Sequence, residues 1–314
     1  MQNRLIVLLF IVVLITGCGC NNSQSKKEQE SNSSSQSKQM SYLVVPEPPA
    51  MLDTEAKKVD YLLSNYWENY NFSDSLYAKN VNYTEKPLAM YFKIMSTTNH
   101  TQFNKYLSNL VLKLESADTV VFDKFTSLAE EMLYDPNSPI RCETIYYRLT
   151  ELLTKSQRVD NLVKDKYQKQ QEMIAKNQPS KPASNFTFTD YSGSKKRLYD
   201  VKAEYLLLMF YHPDCHACAE TIAELKNSPF FGHKELKILA IFPETNEKLW
   251  RERINMIPKE WICGFDKTGV LEEKKLYDLR PSPSLYLLDK NKVVILKDAR
   301  MDEIAGYLAR ALKL

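Results

Sequence analysis

Two thiols three residues apart are the side chains of this sequence best suited to chemistry: Cys215 and Cys218, in His212-Pro213-Asp214-Cys215-His216-Ala217-Cys218. A pair so spaced at the start of a helix can form and release a disulfide. The first thiol stands where unpaired N–H groups and the helix dipole stabilise a thiolate. Cys215 is therefore the expected nucleophile, and Cys218, one turn on and more enclosed, the thiol that resolves a mixed disulfide. His216, when protonated, adds positive charge beside the thiolate and Asp214 adds negative, so the two are expected to tune the pair in opposite directions. Other chemistries draw on the same residues. A c-type haem is excluded because Ala219 stands where CxxCH needs His. Zinc could use His212, Cys215, His216 and Cys218, but Pro213 and the helix start make convergence awkward, and no second CxxC completes an ordinary site. A metal-binding module is thus the lesser alternative, and no metal or cofactor is expected. An inert staple suits the pair poorly, since the loop it closes is tiny.

The redox reading depends on the surrounding elements, because a bare CxxC is weak and one placed between strand and helix is not. Residues 204–211 (EYLLLMFY) form a continuous apolar run, typical of a strand buried on both faces. The chain after Cys218 reads as helical to about Asn227. Phe186 and Phe188, alternating with Thr, give a short strand ahead of it. Further strands are expected at 236–242 and 260–265, and helices at 246–256 and near 270–277. Strands at 284–289 and 293–297 then flank an Asp289-Lys290-Asn291-Lys292 turn, and a helix closes the chain over 301–313. This alternation indicates an α/β sheet ending in a hairpin.

Residues 186–297 resemble the thioredoxin-like fold, and more narrowly the TlpA/ResA-type thiol–disulfide oxidoreductases of bacterial envelopes. The resemblance is carried by FTFTD at 186–190, by the apolar run before HPDCHAC, and by PSLYLLDKNKVVILKD at 283–298. On the residues alone, Pro283 reads as a trans proline leading into a strand. The resemblance instead implies a cis-proline at Pro283 in the loop facing the dithiol, with Ser282 offering backbone groups to a substrate strand. It also implies protein thiols and disulfides as substrates and, for a reductase, a membrane electron donor. The sequence departs from the pattern at three places. Asp214 stands where thioredoxin itself has Trp, the buried acid of thioredoxin would fall on Met209, and the TlpA/ResA-type glutamate on Thr221. Glu220 and Glu224 are the remaining candidates to take a proton from Cys218, although a solvated helix face is the expectation for both.

Ahead of this module, no glycine occurs between 20 and 192 and the apolar spacing is helical. Stripes run through Val59, Leu62, Leu63, Tyr66, Trp67 and Tyr70, and through Phe103, Tyr106, Leu107, Leu110, Val111 and Leu114. Weaker ones follow at 121–132, 145–153 and 159–167, with Ser138-Pro139 reading as an N-cap and first helical residue. The tyrosines that fall on these stripes are expected in the core. His100, opening a helix, reads as a surface residue, and the charged run 155–176 as the solvated face of the last helix. The expected fold class is two-domain: an all-α bundle of five or six helices over 46–178, a linker at 179–185 rich in Pro, Ser and Asn, and an α/β thioredoxin-like domain over 186–314. A helical domain of unknown role in front of such a module resembles lipoproteins of the Bacteroides group.

The N-terminus supports that resemblance. Twelve residues, 5–16, have the length of a signal-peptide apolar region and fall short of the ~20 a spanning helix needs. Ile15-Thr16-Gly17-Cys18 resembles the lipobox of bacterial lipoproteins, making 1–17 a signal peptide and Cys18 the lipidated residue. Residues 18–45 are mostly Ser, Gln, Asn and Lys and are expected to be a disordered tether, 20 residues of which span roughly 25 Å. The implied location is the cell envelope, by default the outer membrane facing the periplasm, with the membrane engaged only through the lipid. A binding or scaffold lipoprotein that uses the thioredoxin-like half as a platform is the second alternative.

Composition removes other classes. The 7 glycines, at 17, 19, 193, 232, 264, 269 and 306, form neither GxGxxG nor GxxxxGK, which excludes a glycine-built dinucleotide or P-loop cradle. A net charge of +3 is too weak to imply a nucleic-acid partner. The 6 cysteines are too few to staple the chain and are read singly. Beyond Cys18, Cys215 and Cys218 there remain Cys20, Cys142 and Cys263, the last two expected as buried thiols, with a bridge between them left open.

Overall fold

A computed structural model describes residues 42–314; the leader, Cys18, Cys20 and the tether as far as residue 41 lie outside the described residues. Folding begins earlier than composition suggests. Leu43, within the expected tether, is 6% exposed and packs on the helical core, while its N–H reaches the Asn82 carbonyl at 3.3 Å.

Seven helices of the described residues follow: α1 (Glu55–Asn65), α2 (Ser75–Ala78), α3 (Glu85–Met95), α4 (His100–Glu115), α5 (Thr119–Leu133), α6 (Glu143–Leu153) and α7 (Asn161–Ala175). Their starts are capped by side chains that take up orphan N–H groups: Thr54 before α1, Asn99 before α4, Asp118 before α5 and Asp160 before α7. Three expectations need correction. The short α2 and the longer α3 have no counterpart among the expected stripes. Pro87 sits in the first turn of α3, where a missing N–H costs no bond, and Leu88, Tyr91, Phe92 and Met95 behind it are buried at helical spacing. Ser138-Pro139 does not start α6. The Ser138 hydroxyl donates back to the Met132 carbonyl at 2.5 Å, closing the end of α5, and Cys142 occupies the N-cap of α6. Finally, the stripe ending at Tyr70 marks buried residues but outruns its helix. Tyr66, Trp67 and Tyr70 lie past the end of α1, where Trp67 meets Tyr91 and Phe125 edge-on at 5.4 and 5.2 Å between centroids. Buried phenols there find partners, Tyr66 donating to the Pro87 carbonyl at 3.0 Å and Tyr70 lying 2.7 Å from the Thr84 hydroxyl.

The second half comprises β1 (Thr187–Asp190), β2 (Lys195–Arg197), β3 (Tyr205–Phe210), α8 (His216–Lys226), β4 (Leu236–Phe242), α9 (Glu247–Arg253), β5 (Ile262–Phe265), α10 (Val270–Glu273), β6 (Ser284–Asp289), β7 (Val294–Leu296) and α11 (Met301–Leu312). The seven strands form one sheet ordered β2-β1-β5-β4-β3-β6-β7. β3 pairs in parallel with β4 and antiparallel with β6, and β4 is parallel to β5. The unbroken apolar run of β3 has a direct cause. Leu207, Met209 and Tyr211 pack on one face with Ile222 and Leu225 of α8 and Ile304 and Leu308 of α11. Leu206, Leu208 and Phe210 pack on the other with Phe186, Phe188 and Tyr277. α10 is a single turn rather than a helix to 277, because Lys275 takes a left-handed φ of 47° and Tyr277 then turns into the core. The edge strand β2 is a further addition, invisible to apolar patterning because it is three exposed basic residues.

The segment between the halves is pinned rather than free. Ser180 and Ala183 N–H groups donate to the Val294 and Lys292 carbonyls at 2.8 Å each, and Asn177 bonds the Leu276 carbonyl at 2.8 Å. The helical and α/β halves consequently form one unit.

At Gly264, β5 lies tight against β1: a Cβ there would press into the Phe188 ring and lie 2.9 Å from the Thr189 carbonyl oxygen. Gly264→Ala is expected to cost about 1–3 kcal/mol by overpacking. A thermal melt checks this, and an unchanged melting temperature would show that β1 yields.

Candidate functional site

β3 delivers the chain to the site, and a tight turn through His212 starts α8. The Cys215 N–H donates to the His212 carbonyl at 3.1 Å, and the Asp214 N–H to His212 Nδ1 at 3.2 Å. These bonds leave Cys215 as the N-cap of α8 in extended conformation (φ −90°, ψ 116°), its side chain turned back over the helix start. The Cys218 N–H donates to Cys215 Sγ at 3.2 Å. Sulfur thus occupies the place an oxygen takes in an ordinary N-cap, and an anionic sulfur accepts such bonds better than a neutral one.

The two thiols are free and differ in setting: Cys218 is fully buried, Cys215 only partly. Burial pushes the Cys215 thiol up, but the Cys218 thiol, the Ser282 hydroxyl and the backbone N–H groups of Cys218 and Ala217 outweigh it, so Cys215 ionises below its ordinary 9.0. Burial, reinforced by the hydrogen bond to Cys215, pushes Cys218 up to about 11. One thiol gives up its proton more readily than an ordinary cysteine and its neighbour less readily.

Opposite the pair lies the loop before β6. The Ser282–Pro283 peptide bond is cis, where the residues alone suggest trans and the family resemblance implies cis. Ser282 faces both sulfurs. Its carbonyl accepts from Cys215 Sγ at 3.4 Å, and its hydroxyl lies 3.2 Å from Cys218 Sγ. The loop is tied from behind by Ser284, whose hydroxyl donates to the Asp278 and Pro281 carbonyls at 3.1 and 2.7 Å.

Cys215, Cys218, Ser282 and Pro283 are therefore brought together. Asp214 and His216 are adjacent in sequence but engaged elsewhere. Asp214 Oδ1 lies 3.5 Å from Arg253 Nη2, and the exposed His216 ring turns its Nδ1 to Glu220 at 3.4 Å. Met209 is sealed in the core, Thr221 is half-buried, and Glu220 and Glu224 are exposed on α8. The polar atom set against Cys218 is instead the Ser282 hydroxyl, a role that sequence reasoning misses. Only a Ser immediately before an implied cis-proline could have signalled it. The Arg253–Asp214 pair has no local signal at all. Cys263, in β5, lies 3.8 Å from the Tyr211 hydroxyl, and burial pushes both its thiol and that of Cys142 up. Both are free, so no bridge joins them. Among the described residues, no three His, Cys, Asp or Glu side chains are grouped as metal ligands.

Both halves of the chain resemble known proteins. Residues 19–177 match a domain of unknown function, DUF5106, and residues 179–297 match the AhpC/TSA family. The chain is 27% identical over 140 residues to the thiol-disulfide oxidoreductase ResA of a Bacillus cereus strain, covering 43% of this chain and 79% of that one. The same protein of Bacillus anthracis is 27% identical over 139 residues, with the same coverage. A thioredoxin-like protein from Bacteroides caccae of known crystal structure is 36% identical, with a TM-score of 0.80 over 86% of this chain and 99% of its own.

The asymmetry between the thiols can be titrated. In the reduced protein, residue-resolved alkylation is expected to show Cys215 ionising below 9.0 and Cys218 only near pH 11. Alkylation of Cys215 should then persist to lower pH than that of an ordinary thiol and fade as the pH drops through its depressed pKa. Two thiols ionising together would contradict the arrangement.

Proposed function

The chain belongs to the thioredoxin-like thiol–disulfide oxidoreductases, with a DUF5106 region ahead of its AhpC/TSA domain, and on that premise we propose that it reduces protein disulfides through Cys215 and Cys218. The observation that carries the reading is the Cys215 sulfur seated on the backbone N–H of Cys218 at the start of α8. A thiolate there attacks one sulfur of a substrate disulfide. The substrate S–S bond breaks, a Cys215–substrate mixed disulfide forms, and the other substrate sulfur leaves as a thiolate. Cys218 then loses its proton, attacks Cys215 Sγ and expels the second substrate thiolate. Two electrons pass to the substrate and the enzyme is left with a Cys215–Cys218 disulfide.

The high pKa of Cys218 makes the second step the demanding one. The Ser282 hydroxyl, 3.2 Å from Cys218 Sγ, is placed to pass that proton on toward the departing substrate thiolate, in the absence of a family carboxylate at 209 or 221. The Ser282 backbone, in front of the cis peptide bond, is the docking edge for an extended substrate strand. Return to the dithiol needs a membrane dithiol donor. The lipobox-like Cys18 supports a lipid anchor, with the folded part held in the periplasm off the outer membrane.

In the full chain, Cys218→Ala is expected to accumulate a mixed disulfide on non-reducing gels, and Cys215→Ser to form none. Failure of Cys218→Ala to trap any partner would remove the dithiol mechanism. Ser282→Ala should slow turnover about tenfold, the effect of losing roughly 1.4 kcal/mol of hydrogen bonding to a charged group, while mixed-disulfide formation survives. For the anchor, lipid labelling is expected to vanish in Cys18→Ala; labelling that persists would place the anchor elsewhere.

A further inference from the structure

The helical half touches the α/β half at the root of the loop that faces the thiols. Tyr134, just past the end of α5, is 6% exposed and stacks on Tyr146 of α6, with centroids 4.8 Å apart and planes 12° from parallel. On the Tyr134 ring, 3.8 Å from its centroid, lies the guanidinium of Arg280. Arg280 is two residues before Ser282. Its Nε and Nη2 also grip Asp278 in a fork, at 2.9 and 2.6 Å.

Asp278 has only 2% of its side chain exposed and is further faced by Arg141 Nη2 at 3.6 Å. Arg141, in the turn before α6, also pairs with Asp298 and with Glu143, the latter at 2.7 Å, and Lys297 Nζ completes the group on Glu143 at 2.8 Å. Three cations and three carboxylates thus meet in a largely dry seam, the helical half supplying Arg141 and Glu143 and the α/β half the rest. Burial alone would push the Asp278 carboxyl up, but Arg280 and Arg141 hold it down and ionised. Such groups tolerate little displacement, because removing one partner leaves a charge out of water without compensation.

The route from this seam to the sulfurs is short and stiff. Between Arg280 and Ser284 the chain reads Pro281-Ser282-Pro283, so two of three intervening residues have φ locked by their rings. Ser284 is tied to both the Asp278 and Pro281 carbonyls. A shift at Arg280 therefore has nowhere to dissipate before Ser282, which contacts both thiols.

We infer that the helical half acts as a positioning device for the dithiol, Tyr134 and Arg141 clamping Arg280 and Asp278 so that Ser282 is held against Cys215 and Cys218. The inference rests on the dithiol reading above and assigns a role to the helical region in that chemistry. Tyr134 and Arg141 are positioning residues and touch neither sulfur nor substrate.

The test is the pH profile of Cys215 alkylation in the full-length protein. Tyr134→Leu, which removes the aromatic face, is expected to raise the midpoint by about one unit, read as about tenfold slower alkylation at a fixed pH below it. Tyr134→Phe keeps the face and should restore the wild-type profile. Leu88→Ala, fully buried in the helical core, should lower the melting temperature yet leave the profile in place. Should Tyr134→Leu not fold, Arg280→Gln makes the same test from the other side of the contact, with the same upward shift expected. A depressed wild-type midpoint that neither variant moves, or that Leu88→Ala moves equally, overturns the inference and spares the dithiol reading. A wild-type midpoint at the ordinary thiol value overturns both.

Discussion

A backbone N–H pointing at a sulfur organises the chemistry of this protein. The Cys218 N–H has no carbonyl to bond at the first turn of α8, and Cys215 Sγ fills the vacancy at 3.2 Å. Everything else at the site either places that sulfur or separates it from its partner. The strand that brings it is sealed on both faces, so the start of α8 cannot drift. Burial then divides the two thiols, since the buried Cys218 loses more by ionising than the half-exposed Cys215.

Ser282 links that local effect to the rest of the molecule. Its carbonyl and hydroxyl lie on opposite thiols, so a single residue of the facing loop contacts both sulfurs. The loop is held at its far end by ionised side chains, an arrangement that suits position better than stability. Apolar packing would serve a mere interface as well, because buried ion pairs recover little beyond their desolvation cost. Charged groups with fixed fork geometry define direction and distance, and a loop that must keep hydroxyl and sulfur in contact requires both.

The helical half, by contrast, is an aromatic core in which buried phenols such as Tyr66, Tyr70 and Tyr91 find partners within the half. The seam with the α/β half gathers the charges that its own interior lacks. The pinned segment at 177–185, tied by Ser180 to Val294 of β7 and by Ala183 to Lys292 just before it, keeps that seam in register. The folded chain therefore works as one body, although its two halves match different families.

Much of this could be read from the residues. The two-face burial of β3 follows from an apolar run with no alternation, and α8 from the stretch after Cys218. The expected nucleophile follows from a thiol at a helix start, because capping is local and needs only neighbouring amides. Helix limits were less legible where a turn continued an apolar stripe, as at Tyr66–Tyr70, or where Pro87 sat harmlessly in a first turn. What required the folded chain were contacts between segments far apart in sequence. The hydroxyl against Cys218 comes from a residue 64 positions away, and Arg280 on Tyr134 joins the two halves. Asp214 and His216, next to the thiols in sequence, are drawn to Arg253 and Glu220 instead. Local pattern reports which backbone groups lack partners; packing alone decides which distant side chains come to meet them.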